Sequence, residues 1–184
     1  MTDDLETTRL VLRRWEEADA ELLTRLATDP VVVRYVSDGR PWSADRVDEV
    51  AQAMTQHWRE HDFGWRVVVP SDTDRAAGFV ALNYLGEGTA GLDPAEFEIG
   101  WWLLPSVWRR GFATEAARAV CGDAFGRLKA PSLVARLQPE NHASAAVATK
   151  LGMRHELDTT GRFGEPVAVY RLAAGTFLGQ GGPG

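Results

Sequence analysis

The sequence predicts a single α/β (α+β) domain, a mixed and mostly antiparallel sheet with helices packed on both faces. Three observations lead there. The chain has 184 residues and 45% hydrophobic composition, enough to bury one substantial core and too little for two ordinary domains. Two helix-like stretches precede three strand-like runs set as closely as the strands of an antiparallel meander. Helix and strand patterns then alternate towards the C-terminus, which places helices on a sheet rather than in a bundle. The domain is expected over residues 1–176. The last eight residues, 177–184, hold the glycine-rich GQGGPG and read as a disordered tail.

The elements follow in order. TRLVLRRW alternates Leu10 and Leu12 with polar neighbours, as a half-buried strand does, and EEADAELLTRLATDP has helical periodicity that stops at Pro30. VVVRYVSDGRPW is rich in turn residues. Ser43 then reads as the N-cap of a second helix, with Val47, Val50, Met54 and Trp58 on one stripe. The meander is GWRVVVP, AAGFVALNYL and AEFEIGWWLL, joined by SDTDRA and by GEGTAGLDP. A long helix from Phe112 to Leu128 is broken by Pro131, SLVARLQ is a strand, Ala143 to Leu151 a shorter helix, and strand-like stretches end in EPVAVYRLA. There is no internal repeat and no interdomain linker.

Composition excludes several classes of function. A net charge of −6 with 25% charged residues argues against disorder and against a general attraction to nucleic acid. The single cysteine, Cys121, rules out an internal disulfide and reads as a packed core thiol in a helix. No basic-then-apolar leader opens the chain, and no apolar run approaches the roughly 20 residues that span a bilayer, so a cytoplasmic protein without a membrane partner is expected.

The chemistry is concentrated in EFEIGWWLLPSVWRRGFATEAARAV, where a strand runs through Pro105 into an arginine-glycine turn and directly into an alanine-rich helix. The unpartnered N–H groups of a helix's first turn attract anions, and Gly111 lets a phosphate approach without a Cβ in the way. Ala113 keeps that approach open, Thr114 adds a hydroxyl, and Arg109 and Arg110 bring positive charge. An ordinary strand-to-helix connection with two solvated arginines fits the same residues.

WRRGFATEA resembles the acetyl-CoA-binding motif of the GNAT superfamily, with Trp108, Gly111 and Ala113 at its marked positions. The leading Trp is similar to the RimJ/RimL-type branch. Downstream, QPENHASAAVATKLGM resembles that branch through Asn141, Ser144, Lys150, Leu151 and Gly152, with Met153 where Phe is usual. ETTRLVLRRW looks like the branch's first strand, so the likeness runs along almost the whole chain in the same order.

The resemblance implies the GNAT fold, in which strands 4 and 5 splay apart and admit the pantetheine arm of the cofactor like an added strand. Strand 4 would supply Trp101, Trp102, Leu103 and Leu104. Pyrophosphate would sit on the N–H groups of Arg109, Arg110, Gly111, Phe112, Ala113 and Thr114, with Asn141 and Ser144 facing the cofactor. The implied activity is transfer of acetyl from acetyl-CoA to a primary amine, either a protein N-terminus or a small molecule, by direct attack in a ternary complex and without metal. The family implies Glu98 as base, directly or through water, and Glu96, which shares its face by strand alternation, is the other candidate. Glu98 as an orienting group, or as a holder of a cationic substrate, fits equally. Ser144 resembles the serine given the acid role, although a backbone-bonded helix serine also fits, and the tyrosine usual in this family is replaced by Ala148. Homodimers are common in this branch, and an exposed edge strand permits one.

Two rivals remain open from sequence: a non-catalytic acyl-CoA-binding sensor, and an acyltransferase preferring a longer chain shaped by Trp101, Trp102 and Leu103. Asp93, Glu96 and Glu98 point weakly to a cationic acceptor. The tryptophans divide into Trp15, Trp58 and Trp65 as core, and Trp42, Trp101 and Trp102 as acceptor-pocket candidates. Gly86 to Gly91 satisfies GxGxxG, but another strand follows instead of a helix, so it reads as a hairpin loop. His57 and His61, four apart, lack a third metal ligand and read as a solvated helix face.

Overall fold

Alternation along the strands sorts the apolar side chains into two layers. The computed structural model describes residues 4–162 and 164–179. Its strands are β1 (Leu5–Glu6), β2 (Leu10–Arg14), β3 (Arg66–Pro70), β4 (Gly78–Tyr84), β5 (Phe97–Leu103), β6 (Ser132–Leu137), β7 (Arg154–Thr160) and β8 (Pro166–Ala173). The helices are α1 (Ala20–Thr28), α2 (Pro30–Val33), α3 (Ala44–His61), α4 (Phe112–Gly126), α5 (His142–Leu151) and α6 (Ala174–Gly179). The eight strands form one sheet in the order β1-β2-β3-β4-β5-β6-β8-β7. Every neighbouring pair is antiparallel except β5 and β6, which α4 connects in parallel.

Leu10, Leu12, Val68, Val80, Leu82, Ile99, Leu103, Leu133 and Leu172 face α4 and α5. Val67 and Phe79 face the opposite way, against Trp15, α1 and α3. Helices therefore cover both faces, as the sequence predicts. Ser43 caps α3, its hydroxyl accepting from Arg46 N at 3.3 Å, and Val47, Met54 and Trp58 are the buried residues of that helix. Trp15 and Trp58 are core, while Trp65 is only half-buried.

Three details depart from expectation. Pro30 does not simply end a helix: it opens α2 as its first residue, with Asp29 accepting from Val31 N at 2.8 Å. The tail predicted over 177–184 is ordered at its start, because residues 177–179 lie in α6 and the Phe177 ring packs 5.2 Å from Phe125. Residues 180–184 lie outside the described residues. The two-residue β1 precedes the expected first strand, so strands 4 and 5 of the sequence reading are β5 and β6.

Gly78, at the start of β4, has φ +149°, and a Cβ there would lie 2.1 Å from the Trp102 carbonyl oxygen. Gly78→Ala must push β4 away from β5 and adopt a backbone that side chains disfavour. We expect it to cost about 3 kcal/mol, read as a lower urea midpoint with an unchanged slope. Cys121 is fully buried on α4, and burial pushes its thiol up to about 12. A thiol reagent should therefore label the folded protein no faster than it unfolds. Prompt labelling under native conditions would contradict this burial.

Candidate active site

β5 is paired with β4 along its full length, from Gly78↔Leu103 to Tyr84↔Phe97. With β6 it pairs only at Phe97↔Leu133 and Glu98↔Val134. β6 then continues with β8 as far as Leu137↔Ala168. From Ile99 onward the two parallel strands diverge, and β5 has an edge that an extended ligand can join. Glu98 marks the apex of the splay. Trp101 and Leu103 turn their side chains to the α4 layer, and Trp102 turns to the α1/α3 layer. Leu104 falls one residue past β5, and its N–H is committed to Ala77 O at 2.8 Å. Leu104 thus lies just beyond the strand to which the sequence reading assigned it.

The turn after β5 is held from both ends. Pro105–Val107 form a single helical turn, and the Trp108 indole donates back to Leu103 O at 2.7 Å. Trp108 thus ties the motif to the strand's end. Arg109 (φ +62°) and Gly111 (φ +82°) both take left-handed backbone, the second as N-cap of α4. The first bond that closes on this turn runs from Glu115 N to Gly111 O at 3.1 Å. The N–H groups of Phe112, Ala113 and Thr114 thus precede the helical ladder, and no side chain caps them. Phe112 is buried beneath, with the guanidinium groups of Arg9 and Arg110 over its ring at 4.9 and 4.4 Å. Arg110 also reaches Asp72 at 3.4 Å, so its charge leans towards the β3–β4 turn.

Glu115 would place a negative charge in this first turn. Arg9 Nε donates to it at 2.8 Å, Arg9 N at 3.0 Å and Thr7 Oγ1 at 2.7 Å, which neutralises the carboxylate and fastens the β1–β2 turn to α4. Burial raises the Glu115 pKa, but these hydrogen bonds and the Arg9 charge together outweigh it, leaving the group below its ordinary value of 4.5. A depressed acid contributes stability that is complete above its unfolded value and is lost as pH falls through the folded one. The stability advantage of wild type over Glu115→Gln should be constant above that ordinary value and shrink below it. An advantage that grew on acidification would contradict the pairing.

α5 begins at the far side of the splay. Asn141 caps it, its side-chain oxygen accepting from Ser144 N at 3.1 Å, so two sequence-predicted residues are held together at one helix start. Arg118 of α4 donates to Lys150 O at 2.7 Å and joins the two helices. Leu151 and Met153 are buried, and Gly152 (φ +87°) ends the helix, so the KLGM ending is a helix stop with two core anchors. Ala148 is fully buried in the core.

At the apex, Arg136 of β6 grips Glu98 with both arms, Nε to Oε1 at 2.6 Å and Nη2 to Oε2 at 3.0 Å. Its third nitrogen donates to Thr89 Oγ1 at 2.6 Å, and Asn83 Nδ2 donates to Glu98 Oε2 at 3.2 Å. Sequence reasoning named neither Arg136, Asn83 nor Thr89 as part of the site. Thr89 lies within the GxGxxG stretch, which is indeed the β4–β5 hairpin loop and carries this buried hydroxyl. Glu96 sits before β5 and bonds Arg171 of β8, which also holds Glu156 at 2.7 Å. Glu96 and Glu98 are thereby attached to different strands by different arginines.

His61 is exposed, as a solvated helix face requires, but His57 is half-buried. Their rings lie 4.6 Å apart in a cluster with Phe63 and Tyr84, and His57 Nε2 is buried without a partner. Burial, with the nearby His61 charge, pushes the His57 pKa down against a smaller opposing effect of Glu60. Among the described residues no group of three or more His, Cys, Asp or Glu is placed to hold a metal, and no helix is long and apolar enough to cross a membrane.

A splayed parallel pair, a glycine turn and an uncapped helix start can together accept an extended ligand with an anionic end. The acetyltransferase (GNAT) domain family matches residues 9–154, and the chain belongs to that family. It is an acetyl-CoA-dependent acetyltransferase. The N-acetyltransferase YnaD of Bacillus subtilis is 29% identical over 153 residues, covering 83% of each chain. The acetyltransferase of Agrobacterium tumefaciens shares the fold at a TM-score of 0.78 and 27% identity, over 94% of this chain and 95% of that one. So does the spermidine N-acetyltransferase of Vibrio cholerae, solved with CoA and spermine, at 0.71 and 20% identity over 94% and 99%.

Proposed function

We propose that this enzyme transfers acetyl from acetyl-CoA to a primary amine by direct attack in a ternary complex. The observation that carries the reading is the uncapped start of α4 behind Gly111, at the open end of the β5/β6 splay. Pyrophosphate takes the N–H groups of Phe112, Ala113 and Thr114, and the Arg109–Gly111 turn wraps it. Pantetheine lies along the free edge of β5 at Trp101 to Leu103, and Asn141 and Ser144 face it from α5. The thioester then reaches the apex, beside Glu98.

The amine must be neutral to attack. Glu98 removes its proton, directly or through water, while Arg136 and Asn83 fix the carboxylate's direction. Nitrogen bonds to the thioester carbon and becomes cationic as the carbonyl electrons move to oxygen; it passes its second proton to water, and the return of the electrons expels sulfur. The departing thiolate takes a proton from water, directly or relayed through the Ser144 hydroxyl, which water reprotonates in the same step. The buried, protonated Cys121 supports a route without an acyl-enzyme. WRRGFATEA supports placement in the RimJ/RimL-type branch, and the acceptor is a small-molecule amine or a peptide N-terminus. Initial rates with both substrates varied should give intersecting double-reciprocal lines; parallel lines would indicate a covalent intermediate and sink the direct route.

A further inference from the structure

On the α1/α3 side of the sheet, the row just past Glu98 is nearly empty of side chains. Ala81 of β4 faces Gly100 of β5, and both are half-exposed. A Cβ added at Gly100 would meet only the Ala81 methyl, at 3.9 Å. The rows on either side are full: Asn83 with Glu98, and Phe79 with Trp102. Trp65 closes the β3 side. Its indole donates to Asn83 Oδ1 at 3.2 Å, and its ring lies 5.9 Å from those of Phe79 and Trp102. Trp42 stands edge-on to Trp102 at 5.2 Å. The remaining side is the splay itself, where the thioester arrives in the proposed reaction. A floor of two small residues beside the joined indoles of Trp65 and Trp102, with a carboxylate at one end, accepts a flat apolar body attached to an amine.

The charges at this end of the sheet point the same way. A polyamine carries a second ammonium that is held best by a carboxylate without a cation of its own. Both oxygens of Glu98 are held by Arg136, and Glu96 is bonded to Arg171. Asp93 accepts from Ala95 N at 2.9 Å within its own loop. Two of the three acidic residues that suggested a cationic acceptor are thus paired with arginines, the exposed Asp93 lies in the β4–β5 loop beyond the Asn83–Glu98 row, and the indole walls carry no charge.

We infer that the acceptor is an arylalkyl monoamine, its ring over the Ala81–Gly100 floor against the joined indoles of Trp65 and Trp102 and its amine in the splay beside Glu98. This rests on the amine-transfer reading above and adds the class of acceptor. The test compares CoA release with 2-phenylethylamine, tryptamine, butylamine and spermidine at saturating acetyl-CoA. The aryl amines should exceed both others in kcat/KM by about ten-fold or more. Ala81→Leu fills the slot from β4, and Gly100→Ala fills it less, where the backbone has room. Ala81→Leu should lower kcat/KM for 2-phenylethylamine by about ten-fold, mainly through KM, with acetyl-CoA affinity unchanged. Preference for spermidine or butylamine, or aryl turnover indifferent to both substitutions, overturns the inference and leaves the transferase reading intact. If no amine releases CoA, tryptophan fluorescence of the CoA-bound protein decides. Quenching by 2-phenylethylamine that Ala81→Leu abolishes sustains the slot while the transfer reading falls, and no quenching overturns the slot as well.

Discussion

Gly111→Glu should abolish acetyl-CoA binding, by about a hundred-fold or more in Kd, in a protein that still folds. Gly111 is the N-cap of α4 at φ +82°, and its Cβ direction is open, the nearest atom being Arg9 Nη2 at 3.4 Å. A side chain there costs the backbone about 1 kcal/mol of strain, which the surrounding core tolerates. Its carboxylate would sit where the N–H groups of Phe112 to Thr114 converge, replacing an attracted anion with a fixed one. Repulsion and exclusion together account for about 3 kcal/mol, a factor of about one hundred in affinity. Gly111→Ala adds the strain without the charge and should lose only a small part of that affinity. Titration calorimetry of both variants reads the difference, and circular dichroism confirms the fold. Equal, wild-type affinity in a folded Gly111→Glu protein would move the phosphate site elsewhere.

Glu98→Gln should lower kcat by about a hundred-fold while leaving the Kd for acetyl-CoA unchanged, the low end of what a general base contributes. Glutamine keeps the shape and one acceptor oxygen for Arg136, so the apex is not dismantled, but it cannot take a proton. The alternative role for Glu98 is structural, as the partner of Arg136 across the start of the splay. That role predicts a loss of stability, with turnover per folded molecule retained. Steady-state rates normalised to the folded fraction separate the two roles, and retained turnover would transfer the base to water or to another group.

What the sequence made legible was local chemistry. The α4 entry is encoded in consecutive residues, where glycine supplies left-handed backbone and alanine a clear approach, and Ser43 announces α3 by the same kind of short-range hydrogen bond. Long-range pairings were not legible. Glu98 and Arg136 lie 38 residues apart and meet only because α4 returns the chain in parallel. Arg9 and Glu115, 106 residues apart, meet only once β2 lies beside α4. The same reason hid α6: nothing in AAGTFLG requires a helix until Phe177 finds Phe125 on α4. Pro30 misled because proline ends one helix and starts the next equally well. The Ala81–Gly100 hollow depends on register, which no single strand states.

Free-thiol release from acetyl-CoA across a panel of amines, covering peptides of varied N-terminus, amino acids, aryl amines, polyamines and aminoglycosides, tests the central claim most directly. The account predicts release that depends on the amine, saturates with both substrates and leaves one N-acetyl product per thiol. Tight acetyl-CoA binding with no thiol released for any amine in the panel would contradict it and favour an acyl-CoA sensor.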